Sequence, residues 1–223
     1  VKLLIHLLFK VCRRPQDVRI LIVGDDDQLL YGFYATSAAD ERFLLGADRI
    51  FGRINDKPWS RLPLTVSFRT TSTMCRVVNR LKTGDRKMTA FSALTTSTAP
   101  VVLFVLDIYK DSADIVQQLI AKSPYSLDET FILSSSLNAR SPAVGIVERL
   151  VNCNVPVHVS RSGALKKGSS SSKKSTSRGK VQFRTFCGSK GLEAEFVIVI
   201  NTRSLHELFE NAQFVALTRA KKQ

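Results

Sequence analysis

An α/β fold built on a parallel sheet is what this sequence predicts, and three observations carry the prediction. Short runs rich in Val, Ile and Leu are stopped abruptly by Gly, Asp or Ser, as at Val18 to Val23 and Thr130 to Leu133. From Val101 onward such runs alternate with amphipathic stretches of about ten residues, the pattern of parallel strands covered by helices on both faces. Residue types suited to phosphate chemistry cluster where several runs end, and an open α/β sheet gathers its ligands at the carboxyl ends of its strands.

In chain order, Leu3, Leu4, Leu7, Leu8 and Val11 recur at helical spacing, so the opening VKLLIHLLFK is expected to be a packed helix. It is too short to span a bilayer and is interrupted by Lys2, His6 and Lys10, which argues against an anchor or signal peptide. Val18 to Val23 (VRILIV) then reads as a buried strand emptying into the loop from Gly24 to Phe33. Ser37 to Phe51 places Phe43, Leu44, Ala47, Ile50 and Phe51 on one helical face. The turn-rich Asn55 to Pro63 marks a boundary, with residues 1–58 in one domain and 59–223 in the next.

Leu64 to Ser67 is expected to be a short strand, followed by a helix bearing Met74, Val77, Val78 and Leu81; Thr83 to Pro100 reads as a polar loop. The alternation then gives strand Val101 to Leu106, helix Ala113 to Ala121, strand Thr130 to Leu133, helix Pro142 to Val151 and strand Val155 to Val159. Gly163 to Lys180 is Ser-rich and basic, with no acid and no aromatic, so residues 163–180 are expected to form a mobile loop. Strands Val181 to Phe186 and Phe196 to Ile200 resume the sheet, and a helix with Leu208, Phe209, Phe214, Val215 and Leu217 ends the pattern.

With 223 residues and 44% apolar content the chain can bury a real core, which excludes a disordered protein. Lys and Arg outnumber Asp and Glu by 33 to 19, a net charge of +14 that favours a polyanionic partner such as nucleic acid. Cys12, Cys75, Cys153 and Cys187 have neither zinc-like pairing nor the density of a secreted disulfide framework, so a reducing intracellular compartment is expected, cytoplasm or nucleus.

Four stretches carry candidate chemistry. In VGDDDQLLYGF, Gln28 offers both a donor and an acceptor for sensing a phosphate or an attacking water, while Tyr31 and Phe33 are stacking platforms for bases. An ordinary strand and turn with core aromatics would read the same. Phe68 beside Arg69 can stack on a base and set a guanidinium on phosphate oxygens, although an Arg paired with a surface acid would look identical in sequence.

In TFCGSKGLE, Gly188 and Gly191 would let backbone N–H groups approach a phosphate, Ser189 and Lys190 add donors, and Glu193 can accept from a sugar hydroxyl; a plain Gly turn is the alternative. In ALTRAKK, Arg219 sits on an otherwise apolar helix and calls for an anionic partner.

In order and spacing these stretches resemble motifs III, IV, V and VI of superfamily 1 DNA helicases of the UvrD/Rep type: VGDDDQLLYGF, LTVSFRTT, VQFRTFCGSKGLEAEFVIVI and FVALTRAKK. The resemblance covers nearly the whole chain. It implies the end of a first RecA-like domain followed by most of a second, with ATP in the cleft between the two and single-stranded DNA across the top. It implies an ATP-dependent motor that moves along single-stranded DNA and unwinds duplex at junctions.

By position, the resemblance makes Gln28 a sensor of the γ-phosphate and Arg69 and Arg219 arginine fingers. Phe68 would stack on adenine, Glu193 would hold the ribose, and Gly191 would line the nucleotide site. Tyr31 and Phe33 would stack on DNA bases, and Thr185, Gly188, Ser189 and Lys190 would lie along the DNA backbone. Tyr34 and Cys187 stand at two further DNA-contact positions where the family has Arg and His.

The departures are as informative. Nothing in the sequence reads GxxxxGK[ST], and no DExxD-like run supplies the carboxylates for Mg²⁺ and for activating water. In the family both lie upstream of motif III, so they are expected ahead of Val1 in a longer chain, and this chain alone is expected to hydrolyse ATP negligibly. The spacing from Arg69 to Lys190 leaves no room for the large inserted subdomain of bacterial members, which suits a compact relative, virus-encoded ones included. The rival expectation is a non-catalytic nucleic-acid-binding remnant that keeps the scaffold without the ATPase.

Overall fold

The computed structural model describes residues 10–12, 19–25, 49, 58–81, 87–91, 103, 107–160, 178–201 and 207–221. The chain divides into two compact units, Val1–Leu64 and Thr65–Gln223. The second is α/β with parallel sheets and carries every element labelled below.

Its elements are β1 (Val66–Ser67), α1 (Ser72–Leu81), β2 (Thr89–Ala90), α2 (Asp111–Lys122), β3 (Thr130–Ser134), α3 (Pro142–Asn152), β4 (Val157–Val159), β5 (Val181–Thr185), β6 (Phe196–Ile200) and α4 (Glu207–Leu217). Four strands form one parallel sheet in the order β4-β5-β3-β6, with Ile132 opposite Phe183 on one side and Ile198 on the other. β1 and β2 pair separately, also in parallel.

β3 is buried along its whole length, because both faces of the sheet are covered. On one face Ile132, Val181, Phe183 and Ile200 meet Val116 and Ile120 of α2 and Ile146 and Leu150 of α3. On the other, Phe131, Leu133 and Phe186 meet Ala216 of α4. The alternation along TFILS therefore sorts Ile132 to one core and its neighbours Phe131 and Leu133 to the other.

Local chemistry sets the element ends. Pro142 occupies the first turn of α3, and the Ser141 hydroxyl accepts from the Ala143 N–H. At its far end Asn154 takes φ +58, the Val155 N–H donates to the Leu150 carbonyl and the Asn154 N–H to that of Val151. That is a Schellman close with Asn in the usual Gly position, and it turns the chain directly into β4. Arg149 ties α3 to α2 through Asp114 at 2.9 Å and Gln117 at 3.1 Å.

Several expectations need correction. Residues 19–23 of the strand expected over Val18 to Val23 form no strand, and Leu21 and Val23 are 84% and 73% exposed. An extended run needs a hydrogen-bonded neighbour, and no strand among the described residues pairs with this one. Lys10 and Val11 are helical, but Val11 is exposed rather than packed. Thr83 to Pro100, read as a loop, contains β2. Gln28, Tyr31, Phe33 and Tyr34, residues 163–177 of the basic loop, most of Ser37 to Phe51 and all but Leu103 of Val101 to Leu106 lie outside the described residues.

Candidate functional site

The second unit brings three of the four motif-like stretches together. At the end of β1, the Ser67 hydroxyl accepts from the N–H groups of Arg69 at 3.3 Å and Thr70 at 2.9 Å, folding the chain into a tight turn. Thr71 caps α1, its hydroxyl accepting from Met74 at 3.4 Å. This turn leaves Phe68 72% exposed and projects Arg69 toward the segment after β5.

In that segment the Arg69 Nη1 donates to Glu193 Oε1, a contact between residues 124 apart in sequence. Lys221 Nζ lies 3.6 Å from the other carboxylate oxygen. Glu193 is thus a carboxylate between two cations. The hydrogen bond from Arg69, with the positive charges of Arg69 and Lys221, holds its carboxyl below the usual carboxylate range. An Arg paired with an acid was one of the two readings open for Arg69, and the acid is Glu193.

Arg219 lies two residues past the end of α4 rather than on it, and it is buried. Its Nε donates to the Val215 carbonyl at 2.8 Å, Nη1 to the Leu192 carbonyl at 3.3 Å and Nη2 to the Thr218 hydroxyl at 3.0 Å. The sequence called for an anion here; the Val215 carbonyl, at the negative end of α4, and the Leu192 carbonyl take up part of that role. A parallel bridge joins Ala194 to Ala220, with the Ala194 N–H on the Arg219 carbonyl at 3.1 Å and the Lys221 N–H on the Ala194 carbonyl at 2.9 Å. Between them Arg69, Arg219 and Lys221 therefore bond to the three residues Leu192, Glu193 and Ala194: Arg69 to Glu193, Arg219 to Leu192 and Ala194, and Lys221 to Glu193 and Ala194.

The glycine loop differs from the expected phosphate cradle. Cys187–Ser189 is a 3₁₀ turn in which the Gly188 N–H donates to the Thr185 hydroxyl at 3.0 Å, and the N–H groups of Ser189 and Lys190 return to the carbonyls of Phe186 and Cys187. Ser189 is fully buried, its hydroxyl donating to the Phe186 carbonyl at 2.7 Å, so its side chain does not face an exposed strand path. Lys190 is exposed. Gly191 has φ +80, and a side chain there would meet no atom within 4 Å, so the backbone angle rather than crowding calls for Gly. Cys187 is half-buried; burial pushes its thiol up, against a smaller opposing pull from its backbone and Lys190.

Sequence reasoning missed Lys221, Phe91 and Asn79. Lys221 stood inside the quoted ALTRAKK, and its signal is alternation: in an extended pairing of 220 with 194, the flanking residues 221 and 193 can meet. Phe91 was hidden in a stretch read as polar, where it directly follows the two-residue strand β2.

Among the described residues no group of three His, Cys, Asp or Glu could hold a metal ion, and no helix is long and apolar enough to cross a membrane. No protein-family model matches the chain, and no curated protein matches it.

Proposed function

We propose that this chain is the nucleotide- and DNA-engaging part of an ATP-dependent motor of the UvrD/Rep helicase type. In this reading Thr65–Gln223 is most of a second RecA-like domain and the preceding residues close a first. The observation that carries the reading is the meeting of Arg69, Glu193, Lys221 and Arg219 around residues 192–194. The net charge of +14 supports a nucleic-acid track.

The residues fit a nucleoside triphosphate. An exposed ring at Phe68 can take the base, and the next residue, Arg69, shares with Lys221 a single carboxylate that polyphosphate oxygens can displace. Bound ATP, with Mg²⁺, would supply the free energy of hydrolysis. Arg69 exchanges Glu193 for phosphate oxygens, and Glu193, released, accepts from a sugar hydroxyl. For Arg219 to act as a second finger, it must first leave the carbonyls of Val215 and Leu192.

That last requirement favours a second reading, a nucleic-acid-binding scaffold in which Arg219 only holds the fold. One experiment separates the two. Wild-type chain is titrated with fluorescent ATP and, separately, with labelled single-stranded DNA between about 50 and 200 mM salt. The motor reading expects weak ATP binding that Arg69→Ala abolishes, negligible turnover, and DNA affinity that falls steeply with salt. DNA binding without any ATP binding selects the scaffold, and salt-insensitive DNA binding refutes both.

A further inference from the structure

We propose that Phe91 is a positioning residue for the base-stacking ring of Phe68, held in register by a two-point clamp from Asn79. The inference rests on the reading of Phe68 as a base platform and adds the device that orients it.

The ladder fixes the geometry. Val66 pairs with Thr89 and Ser67 with Ala90, so the next pair in register is Phe68 and Phe91. The Phe91 N–H donates to the Ser67 carbonyl at 2.8 Å, carrying the ladder to that point. The ring centroids lie 4.8 Å apart with the planes tilted by 32°. Aromatic pairs of this kind normally sit in a core, yet these rings are 72% and 43% exposed.

A two-residue parallel ladder is too short to hold itself. Asn79 of α1 supplies what is missing: its Nδ2 donates to the Met88 carbonyl at 2.7 Å, and its Oδ1 accepts from the Met88 N–H at 2.8 Å. One side-chain amide thus copies the pairing a neighbouring strand would offer. Lys87 Nζ, 3.1 Å from the Asn79 carbonyl, closes the same corner.

A lone ring as exposed as Phe68 would sample several rotamers, and ordering it would weaken binding. With Phe91 beside it the ring is already placed. The occupant follows from charge: Arg69 is the next residue in the chain and shares Glu193 with Lys221, so a stacking ring joined to cations suited to phosphate takes the base of a nucleoside triphosphate.

The test compares wild-type chain with Phe91→Ala, Phe91→Tyr and Phe68→Ala, measuring binding of ATP and of inorganic tripolyphosphate by calorimetry and melting each variant alongside. Phe91→Ala is expected to weaken ATP binding roughly two- to twelve-fold, the range of an aromatic pair, while tripolyphosphate binding stays at the wild-type value. Phe91→Tyr is expected to restore ATP binding. Wild-type ATP affinity in Phe91→Ala, or equal losses for both ligands, overturns the positioning role. If Phe68→Ala weakens ATP and Phe91→Ala does not, only this inference fails. If Phe68→Ala also leaves ATP binding intact, or wild type binds no ATP, the nucleotide reading falls with it.

Discussion

Replacing Arg219 by Met separates a structural arginine from one free to serve a phosphate. In the folded chain the three guanidinium nitrogens donate to Val215, Leu192 and Thr218, joining the end of α4 to the segment that carries Glu193. Hydrogen bonds from a charged donor are each worth about 1.5–3 kcal/mol when one partner is removed. They are not additive, and removing the guanidinium also relieves its own desolvation, so the expected net loss is about 2–4 kcal/mol. For a unit of this size that lowers the melting temperature by roughly 5–15 °C. Arg219→Lys should recover little, since a single ammonium cannot reach acceptors in three directions. Thermal and urea unfolding followed by circular dichroism measure the change. A loss under about 1 kcal/mol in Arg219→Met, with other residues of the unit unperturbed, would refute the structural role.

Three further outcomes are expected. Glu193→Gln should flatten acid unfolding: the depressed carboxyl contributes stability that is complete above its unfolded value near pH ~4.3 and is lost as pH falls through the lower folded value. Because the pair is about one third exposed, the effect stays within about 1 kcal/mol, read as the difference between acid melting curves. Gly191→Ala should cost about 1–2 kcal/mol from the backbone angle alone, seen as a lower urea midpoint with an unchanged slope. Ile146→Ala, at a fully buried position between α3 and the sheet, should cost about 2–5 kcal/mol in the same assay.

The main sheet was legible in the sequence because period carries it. TFILS and FVIVI are too apolar and too short for anything but covered strands, and PAVGIVERLVN spaces Ile146 and Leu150 one turn apart. β2 was not legible: two residues carry no period, and its position depends on an amide from α1. Residues 19–23 of the strand expected over Val18 to Val23 form none for the converse reason: composition alone does not supply a neighbour, and none of the described residues provides one. Within the site, residue types were legible and pairings were not. Nothing local to SFRTT announces Glu193, which lies 124 residues away from Arg69. SKG read as a ligand loop because small polar residues suit both a phosphate cradle and a closed turn; Ser189, fully buried, belongs to the turn.

The most direct measurement on the central claim is a titration of the chain with ATP, followed by side-chain NMR of the Arg69 Nε–Hε group and the Phe68 ring. Both signals should move together with one dissociation constant as Arg69 exchanges Glu193 for phosphate, and AMP should move the ring far more than the guanidinium. Signals at Arg69 and Phe68 that stay fixed at saturating ATP, or that shift with unrelated constants, would contradict a shared nucleotide site.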